Sequence, residues 1–582
     1  MSASYTVIFV MAAVAAIFVL LILRGQKESR QSGERIVRKS WGSVSARAVS
    51  ADAMQRIRSF SDALDRTPEE SKPDGEPQES PSVTPIDDIT AEDLELDRFY
   101  QASVRTMAAP GDEVYYSWLR HPLLDPGAIR RRIRLEDFFS EHPDEREAIQ
   151  LRLLEIGREK DISCYGAFEA LDKAQPAGRI RYLLLSALTA ADLALLFFLP
   201  LPAVLMLIPL MAVNISVHLR MKEQVGREIR YLAMLIRMQR AAAAIAARPC
   251  EAIRDEQNVL RSASARLASF RRGAVLVTSG ASVGTGPGDV VLEYAKLFFH
   301  ADLIRYNGML RAYREHRGDA LAVYRVLGNL DAVISCSSYI ASRPRMTRPV
   351  FAEGRTLTAK GLVHPLLEHP VPADFRSDRC MLLTGSNASG KSTFLKAVMY
   401  GALMAQSIGA AAASGWEAPC FRIFTSMALS DSLKNGESYF VVEIRSLKRI
   451  LDAAGQKGSP VLAAVDEVLR GTNTVERIAA SSQILRYLAG TNALVFAATH
   501  DIELSYLLQN CCENRHFGET VRNGDVTFDY HLREGRASSG NAIRLLRATG
   551  YPAEVTEAAG ASAARFEADG EWHLDTEEER KR

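Results

Sequence analysis

Gly385, Gly390, Lys391 and Ser392 stand in the spacing G-x-x-x-x-G-K-S, behind the apolar run Leu382-Leu383-Thr384 and ahead of Thr393-Phe394-Leu395-Lys396. These residue types suit phosphate chemistry. Glycines let successive backbone N–H groups turn toward one anion. A helix N-terminus behind them adds its dipole. Lys391 supplies a point charge toward β- and γ-phosphates, and the Ser392 hydroxyl is a ligand for Mg²⁺. The loop Gly385, Ser386, Asn387, Ala388, Ser389, Gly390, Lys391, Ser392 and Thr393 is therefore expected to hold a nucleoside triphosphate with its Mg²⁺. Some 75 residues beyond Lys391, the apolar run Val461–Val465 ends in Asp466 and Glu467. Asp466 is placed to hold Mg²⁺ with Ser392, and Glu467 to orient or deprotonate an attacking water. Ala493–Ala497 is another apolar run, and His500 follows it where it can sense a γ-phosphate. Lys391, Glu467 and His500 are the candidate catalytic residues.

Such residues need strand ends and helix starts to hold them. Val350–Leu357, Cys380–Thr384, Ser438–Ile444, Val461–Val465 and Ala493–Ala497 read as strands separated by helices. That predicts a C-terminal α/β phosphate-loop domain over 349–560, followed by a disordered charged tail over 561–582. Ahead of it, 90–178 and 223–348 carry helical periodicity and predict an all-α domain in two parts. Within 223–348, Lys222–Ala247, Glu251–Arg272, Val290–His316 and Asp319–Ser342 read as separate helical stretches. Thr90-Ala91-Glu92-Asp93 resembles a capping box at the start of the first part. Thr67–Asp88 is rich in Pro, Glu and Ser, with too little apolar surface to fold, and closes a 31–89 region of juxtamembrane helix and linker.

Two apolar blocks predict membrane contact. Thr6–Leu23 has no charge and approaches the roughly 20 residues of a spanning helix. No Lys or Arg precedes it, whereas Arg24, Lys27, Arg30, Arg35, Arg38 and Lys39 follow, which favours an anchor over 1–30 against a signal peptide. The second block, 179–222, holds Pro200-Leu201-Pro202 at its centre and reads as a hairpin of Tyr182–Leu199 and Ala203–Leu219. Arg179, Arg181, Arg220 and Lys222 flank it. Both blocks then agree on one topology, an inner (cytoplasmic) membrane protein with its N-terminus outside and the α/β domain in the cytoplasm. A buried helical hairpin in a soluble domain is the rival reading. Asp192 inside the hairpin is a functional candidate by its cost in lipid, or it sits near the headgroups of a shallow hairpin or bonds a neighbouring helix.

The remaining signals are weaker. Across 582 residues, 71 basic and 70 acidic side chains leave a net charge of +1, so no global basic field points to nucleic acid. The cysteines Cys164, Cys250, Cys336, Cys380, Cys420, Cys511 and Cys512 have no metal spacing and suit reduced thiols. Arg130-Arg131-Arg132 reads as a solvated helix face. Gly280–Gly288 is Gly-rich but lacks a lysine and a strand–helix frame, so it reads as a loop.

Taken in order, the motifs resemble those of the MutS mismatch-repair ATPases, a branch of the ABC-type nucleotide-binding fold. Gly385–Thr393 is similar to that family's G-P-N-x-x-G-K-S-T. Phe424–Leu433 and Gly436–Glu443 look like F-T-R-x-G-A-S-D-x-L and G-x-S-T-F-x-x-E. Asp466–Thr474 is similar to D-E-x-G-R-G-T-S-T, Thr499-His500 closes the set, and His364-Pro365 matches an H-P element ahead of it. The likeness covers residues 355–555 and departs at Ser426, Glu437 and Tyr439. It implies an ATPase acting as a homodimer through these domains, with Ser438 of one protomer reaching the γ-phosphate held by the other. It further implies that 90–178 and 223–348 correspond to core and lever helices, and that DNA is a partner. Nothing in the sequence resembles the family's mismatch-reading domain, and Phe351-Ala352-Glu353 lies too close to the ATPase to be its wedge. The expected function is a membrane-anchored ATPase moving lever helices. The alternative is a non-DNA ATPase that works on a membrane protein partner through its hairpin.

Overall fold

The structure is a computed structural model that describes residues 24, 28, 30–44, 47–66, 83–159, 161–176, 179–271, 297–386, 389–427, 439–469, 472–522, 525–537 and 542–573. The apolar run Thr6–Leu23, most of the linker, the Gly280–Gly288 stretch, Asn387, Ala388, Ser438 and the last nine residues lie outside them. The chain forms two compact units. One is Met1–Pro81, Asp97–His121 and Arg130–Pro344, and the other is Ser82–Leu96, Pro122–Ile129 and Arg345–Arg582. Two short pieces of the N-terminal half therefore belong to the C-terminal unit, a partition that helical periodicity alone does not reveal.

In chain order the helices before residue 345 are α1 (Ala51–Arg66), α2 (Asp88–Asp93), α3 (Leu96–Ser103), α4 (Ala109–Arg120), α5 (Pro126–Glu141), α6 (Pro143–Ile156), α7 (Cys164–Lys173), α8 (Arg179–Leu195), α9 (Pro200–Ala247), α10 (Arg254–Arg266), α11 (Ala301–Glu315) and α12 (Arg317–Ala341). The first unit is all helical. Its centre is the packing of α4 on α12, where Gly111 and Gly328 permit close approach. A Cβ on Gly111 would lie 2.2 Å from Asp331 Oδ2, and one on Gly328 2.5 Å from Val114 Cγ2.

Three buried carboxylates beside this packing find donors in arginines, hydroxyls and backbone N–H groups. Asp112 takes Arg47 Nη1 at 2.9 Å and Arg158 Nε at 2.7 Å. Glu113 accepts from Tyr324 Oη at 2.7 Å, Ser163 Oγ at 3.0 Å, and the N–H groups of Cys164 at 2.6 Å and Tyr165 at 2.9 Å, capping the start of α7. Asp331 accepts from the N–H groups of Met107 at 2.9 Å and Ala108 at 2.8 Å. Burial pushes the carboxyls of Glu113 and Asp331 up to about 7. For Asp112 burial also pushes upward, but Arg158 and Arg47 together overcome it and hold the carboxyl down at about 2.

The hairpin differs from its sequence reading. Pro200 and Pro202 do not form its turn; they open α9, where a missing N–H costs nothing because the first N–H groups of a helix have no partner. The turn falls at 196–199, and α8 ends at Leu195. Nor does α9 stop at the end of the apolar block. It runs unbroken for 48 residues to Ala247, about 72 Å at 1.5 Å per residue. Its first part, Pro200–Arg220, is mostly exposed and is long and apolar enough to cross a membrane. Arg317–Ala341 passes the same test of length and composition but is largely buried, as a core helix is. At the turn Phe197 and Phe198 are 89% and 80% exposed, whereas Thr189, Asp192 and Asn214 are buried. Asn214 Nδ2 donates to Thr189 Oγ1 at 2.8 Å, joining α8 to α9.

The second unit is α/β. Its strands are β1 (Val350–Phe351), β2 (Leu357–Leu362), β3 (Ala373–Ser377), β4 (Cys380–Thr384), β5 (Gly415–Ala418), β6 (Arg422–Ser426), β7 (Val461–Asp466), β8 (Ala493–Ala498), β9 (Cys512–Arg522) and β10 (Asp525–Glu534). Its later helices are α13 (Lys391–Ser407), α14 (Tyr439–Ala454), α15 (Thr474–Ala489), α16 (Ile502–Leu507), α17 (Ala542–Ala548) and α18 (Ala553–Asp569). A four-stranded sheet has the order β1-β5-β2-β3, and a six-stranded sheet the order β10-β9-β4-β8-β7-β6. In the larger sheet every pairing is parallel except β10 with β9. β4, β7 and β8 are buried along their whole length, as strands covered on both faces must be.

Four local expectations need correction. Of the expected strand Ser438–Ile444, residues 439–444 begin α14 instead, because Leu447, Ile450 and Ala454 continue a helical spacing that outweighs the β-branched Val441, Val442 and Ile444. Val350–Leu357 splits into β1 and the start of β2, with Gly354 at φ +88° in the bend between them. The cap of α2 is Asp87, which accepts from Thr90 N–H at 2.8 Å, so Thr90 lies inside the helix and does not start it. The tail holds a helix as far as Asp569.

Candidate functional site

β4, β8 and β7 are adjacent and parallel, so their carboxyl ends lie side by side. Such a row is where α/β sheets place ligands. Leu383 and Asp466 both register with Ala498, which fixes the alignment to one residue. The loop after β4 is the phosphate loop, β7 ends in Asp466, and Thr499-His500 follows β8. Residues more than 100 apart in sequence are brought together because their strands are neighbours.

The loop geometry depends on glycine. Gly385 has φ +146° and Gly390 φ +106°, values that L side chains rarely adopt. A Cβ on Gly385 would also lie 2.9 Å from Phe517 O and 3.0 Å from Ser389 Oγ. Lys391 is buried at the start of α13, and its Nζ donates to Gly385 O at 2.8 Å and Ser386 O at 2.9 Å. Ser389 Oγ is buried with no hydrogen-bond partner among the described residues. An orphaned hydroxyl beside left-handed glycines, a lysine and a helix start fits a cradle for a phosphate.

Ser392 Oγ donates to Asp466 Oδ2 at 2.5 Å. A hydroxyl and a carboxylate so close offer two hard oxygen ligands, which is the protein share that Mg²⁺ takes when phosphates and water supply the others. Among the described residues no cluster of three or more His, Cys, Asp or Glu side chains could hold a metal by itself. The site therefore suits a metal that arrives with a nucleotide.

Glu467 adopts φ +62° and Leu469 φ +60°, a left-handed pair of non-glycine residues directly after β7. Strain of this kind costs on the order of 1–3 kcal/mol per residue and persists where the surroundings over-determine it. The Glu467 N–H donates to Ala498 O at 2.9 Å, and Glu467 Oε1 meets His500 Nε2 at 2.8 Å. A carboxylate can only accept, so Nε2 carries the proton of that bond. Lys391 Nζ then approaches the same nitrogen at 3.5 Å as a neighbouring charge. Lys391, Glu467 and His500 thus form one contiguous group, and Ser392 with Asp466 a second beside it. Thr393 is exposed on the first turn of α13, and Ser386 lies in the loop. Asn387, Ala388 and Ser438 fall outside the described residues.

Several residues at this site are absent from the sequence reading. Arg477 on α15 grips Asp501 with Nε at 2.9 Å and Nη2 at 2.6 Å, holding the segment after His500. Tyr530, at φ +58° on β10, places its Cδ1 3.1 Å from where a Cβ on Gly390 would stand. β10 is a largely polar strand whose register shifts between Phe528 and Leu532, and no alternation in it flags Tyr530. Arg477 and Asp501 are ordinary surface types that gain meaning only when α15 and α16 are folded.

Residues 381–567 match the family MutS domain V. The likeness to the MutS family rests on this domain, about a third of the chain. The DNA mismatch repair protein MutS of Lactobacillus delbrueckii subsp. bulgaricus is 30% identical over 278 residues, 46% of this chain and 32% of that protein. The DNA mismatch repair protein MutS of Thermus thermophilus is 32% identical over 256 residues, 43% of this chain and 31% of that protein. A third relative, DNA mismatch repair protein MutS 2 of Haloarcula marismortui, is 30% identical over 261 residues, 40% of this chain and 27% of that protein. The chain spans about a third of the length of these curated relatives. The likeness to MutS is thus concentrated in the unit that holds the site just described.

Proposed function

We propose that this MutS-like chain is a membrane-anchored ATPase that binds ATP with Mg²⁺ and hydrolyses it. The observation that carries the reading is the convergence of the phosphate loop, Asp466-Glu467 and His500 on three adjacent strand ends. Lys391 and the loop N–H groups bind the phosphates, and Ser392 with Asp466 holds the metal. Mg²⁺ supplies charge neutralisation at the transferring phosphate. Glu467 orients the attacking water and accepts its proton, and the Nε2–H of His500 keeps that carboxylate in place. Hydrolysis on this reading takes place in a homodimer, with Ser438 of one protomer completing the partner's site.

Three expectations on setting belong to the same proposal. Thr6–Leu23 and the α8–α9 hairpin contact membrane lipid at the inner membrane, with the α/β unit on the cytoplasmic side. The relatives are named for DNA mismatch repair, and DNA is proposed here as a partner of the helical unit. A second reading has a specific observation behind it. Because α9 joins the exposed apolar hairpin to the helical unit without a break, ATP-driven movement of that unit would act directly on a membrane protein partner.

ATP turnover of the detergent-purified protein, with and without duplex DNA at low and moderate salt, tests these readings. Stimulation by DNA that fades as salt rises supports the DNA partner, since phosphate contacts release counterions. Turnover indifferent to DNA favours the membrane partner, and absence of any turnover defeats the ATPase reading.

A further inference from the structure

β6 is the outermost strand of the six-stranded sheet, so among the described residues one side of its backbone has no strand to pair with. Exposed edges of this kind need acceptors for their N–H groups or a cover. Here the cover is α2, a piece of the N-terminal half lying more than 300 residues away in sequence. Thr90 Oγ1 accepts from the Thr425 N–H at 3.1 Å. Asp93 Oδ2 accepts from Thr425 Oγ1 at 2.6 Å and from the Met427 N–H at 3.0 Å. Asp93 is 4% exposed, and its carboxylate holds Thr425 near the end of the strand and Met427 just beyond it.

The same short segment holds two more elements. Arg449 on α14 bonds Asp87, Thr90 Oγ1 and Thr425 O, and its guanidinium lies 5.7 Å from the centre of the Phe424 ring. On α13, the helix that opens with Lys391, Tyr400 Oη donates to Leu94 O and Lys396 pairs with Glu95 at 2.8 Å. Asp87–Glu95 therefore grips the end of β6, the body of α14 and the phosphate-loop helix at once. β6 and α14 are the elements from which the chain departs to, and returns from, the stretch containing Ser438. At its far end the segment passes through Glu95, in the left-handed region at φ +48°, and continues covalently into α3 of the helical unit.

We propose that Asp93 is a positioning residue for ATP hydrolysis, and that Asp87–Glu95 is the clasp through which the helical half of the chain acts on the nucleotide site. The inference rests on the ATPase reading given above. A carboxylate with two donors aimed at one oxygen fixes β6 against α2. The Arg449 bonds carry that fixation to α14, and the Glu95–Lys396 pair carries it to α13. Loss of Asp93 frees the end of β6 without touching Lys391, Ser392 or Asp466, so nucleotide binding survives while the alignment needed for turnover does not. Misplacement of about 1 Å is enough to cost as much as 100-fold in rate.

The test is steady-state turnover and nucleotide-analogue affinity of the full-length protein in detergent, for the unaltered chain, Asp93→Ala, Asp93→Asn, Thr425→Val and the Asp93→Ala/Thr425→Val pair. Asp93→Ala is expected to lower kcat by tenfold or more, with KM and analogue affinity within twofold and the melting temperature of the nucleotide-bound protein retained. Asp93→Asn keeps an acceptor oxygen and is expected to recover most of the rate. Thr425→Val is expected to lower kcat in the same direction, and the double variant to be no worse than Asp93→Ala. Normal turnover in Asp93→Ala overturns the proposal, as does a loss of kcat, affinity and melting temperature together, which is what a merely structural residue would give. Failure of the unaltered protein to turn over ATP is a different result, because it removes the ATPase reading and the clasp with it.

Discussion

The carboxyl ends of β4, β8 and β7 and the α4–α12 core both gather polar side chains, but they treat them in opposite ways. In the helical core three buried carboxylates meet their donors: Asp112 has two arginines, Glu113 has four donors and Asp331 has two backbone N–H groups. At the strand ends Ser389 Oγ is buried without a partner, Glu467 sits in a left-handed conformation, and two glycines hold angles that no side chain would tolerate. A buried network that satisfies itself fixes a structure. A buried site with an orphaned hydroxyl and strained backbone is built for something that is not part of the chain. Charge density alone would not distinguish the two regions; the left-handed backbone of Gly390, Glu467 and Leu469 at the strand ends does.

The comparison can be broken from either side, and the largest effect belongs to the strand ends. Lys391→Ala removes the one buried cation of the loop and is expected to abolish measurable binding of a fluorescent ATP analogue, with the fold retained by circular dichroism. Retained affinity would mean that the loop holds its ligand by backbone groups alone. Glu467→Gln should keep nucleotide affinity but lose on the order of 100- to 10,000-fold in turnover, the usual worth of a general base. It should also shift the protein toward the dimer in ATP, read by light scattering. Turnover at the unaltered rate would assign the water to another group.

In the helical core the effects should fall on stability instead. Asp112→Ala strands Arg47 and Arg158, and breaking a buried pair from one side costs about 3–5 kcal/mol. The expected readout is a lower melting temperature with unchanged affinity for the ATP analogue. Lost affinity at unchanged melting temperature would place Asp112 with the site and not with the core.

The smallest effect is on pH. Glu113 and Asp331 rise from ordinary values of 4.5 and 3.8 to about 7. The folded state therefore binds more protons than the unfolded state between about pH 4 and 7. Their contribution is fully present below that window and is lost as pH rises through it. Asp112 acts oppositely: held down at about 2, its contribution is present above pH 3.8 and is lost as pH falls toward 2. Thermal unfolding followed from pH 2 to 8 should show a maximum in the mildly acid range. A melting temperature that climbs steadily from pH 5 to 8 would contradict it.

How far the sequence reaches differs between the same two regions. The phosphate loop, Asp466-Glu467 and His500 are legible because each is a short motif at the end of an apolar strand, and a strand end is a local event. The placement of β4, β7 and β8 is legible for the same reason. Ser438–Ile444 misleads because β-branched residues imitate a strand where packing of Leu447 and Ile450 makes a helix. The hairpin misleads in its turn and in the length of its second helix, since Pro200 and Pro202 open α9 instead of ending a helix, and α9 runs on past the apolar block to Ala247. The helical core leaves no signal at all, because Asp112, Glu113 and Asp331 read as ordinary helix charges until α4 meets α12.

By itself, then, the sequence singled out the candidates: the residues proposed for phosphate, for metal and for the proton, and the stretches apolar enough for lipid. Short-range order is enough for that, because a glycine loop, a strand end and an apolar run are each set by neighbours a few residues away. Only the tertiary structure decided which partners those groups have. The order β4-β8-β7 places His500 against Glu467, the packing of α4 on α12 closes the charges of the core, and Asp93 reaches Thr425 across 332 positions. Those pairings cost loop-closure entropy that no local pattern records, and they are fixed by burial of whole faces rather than by any motif.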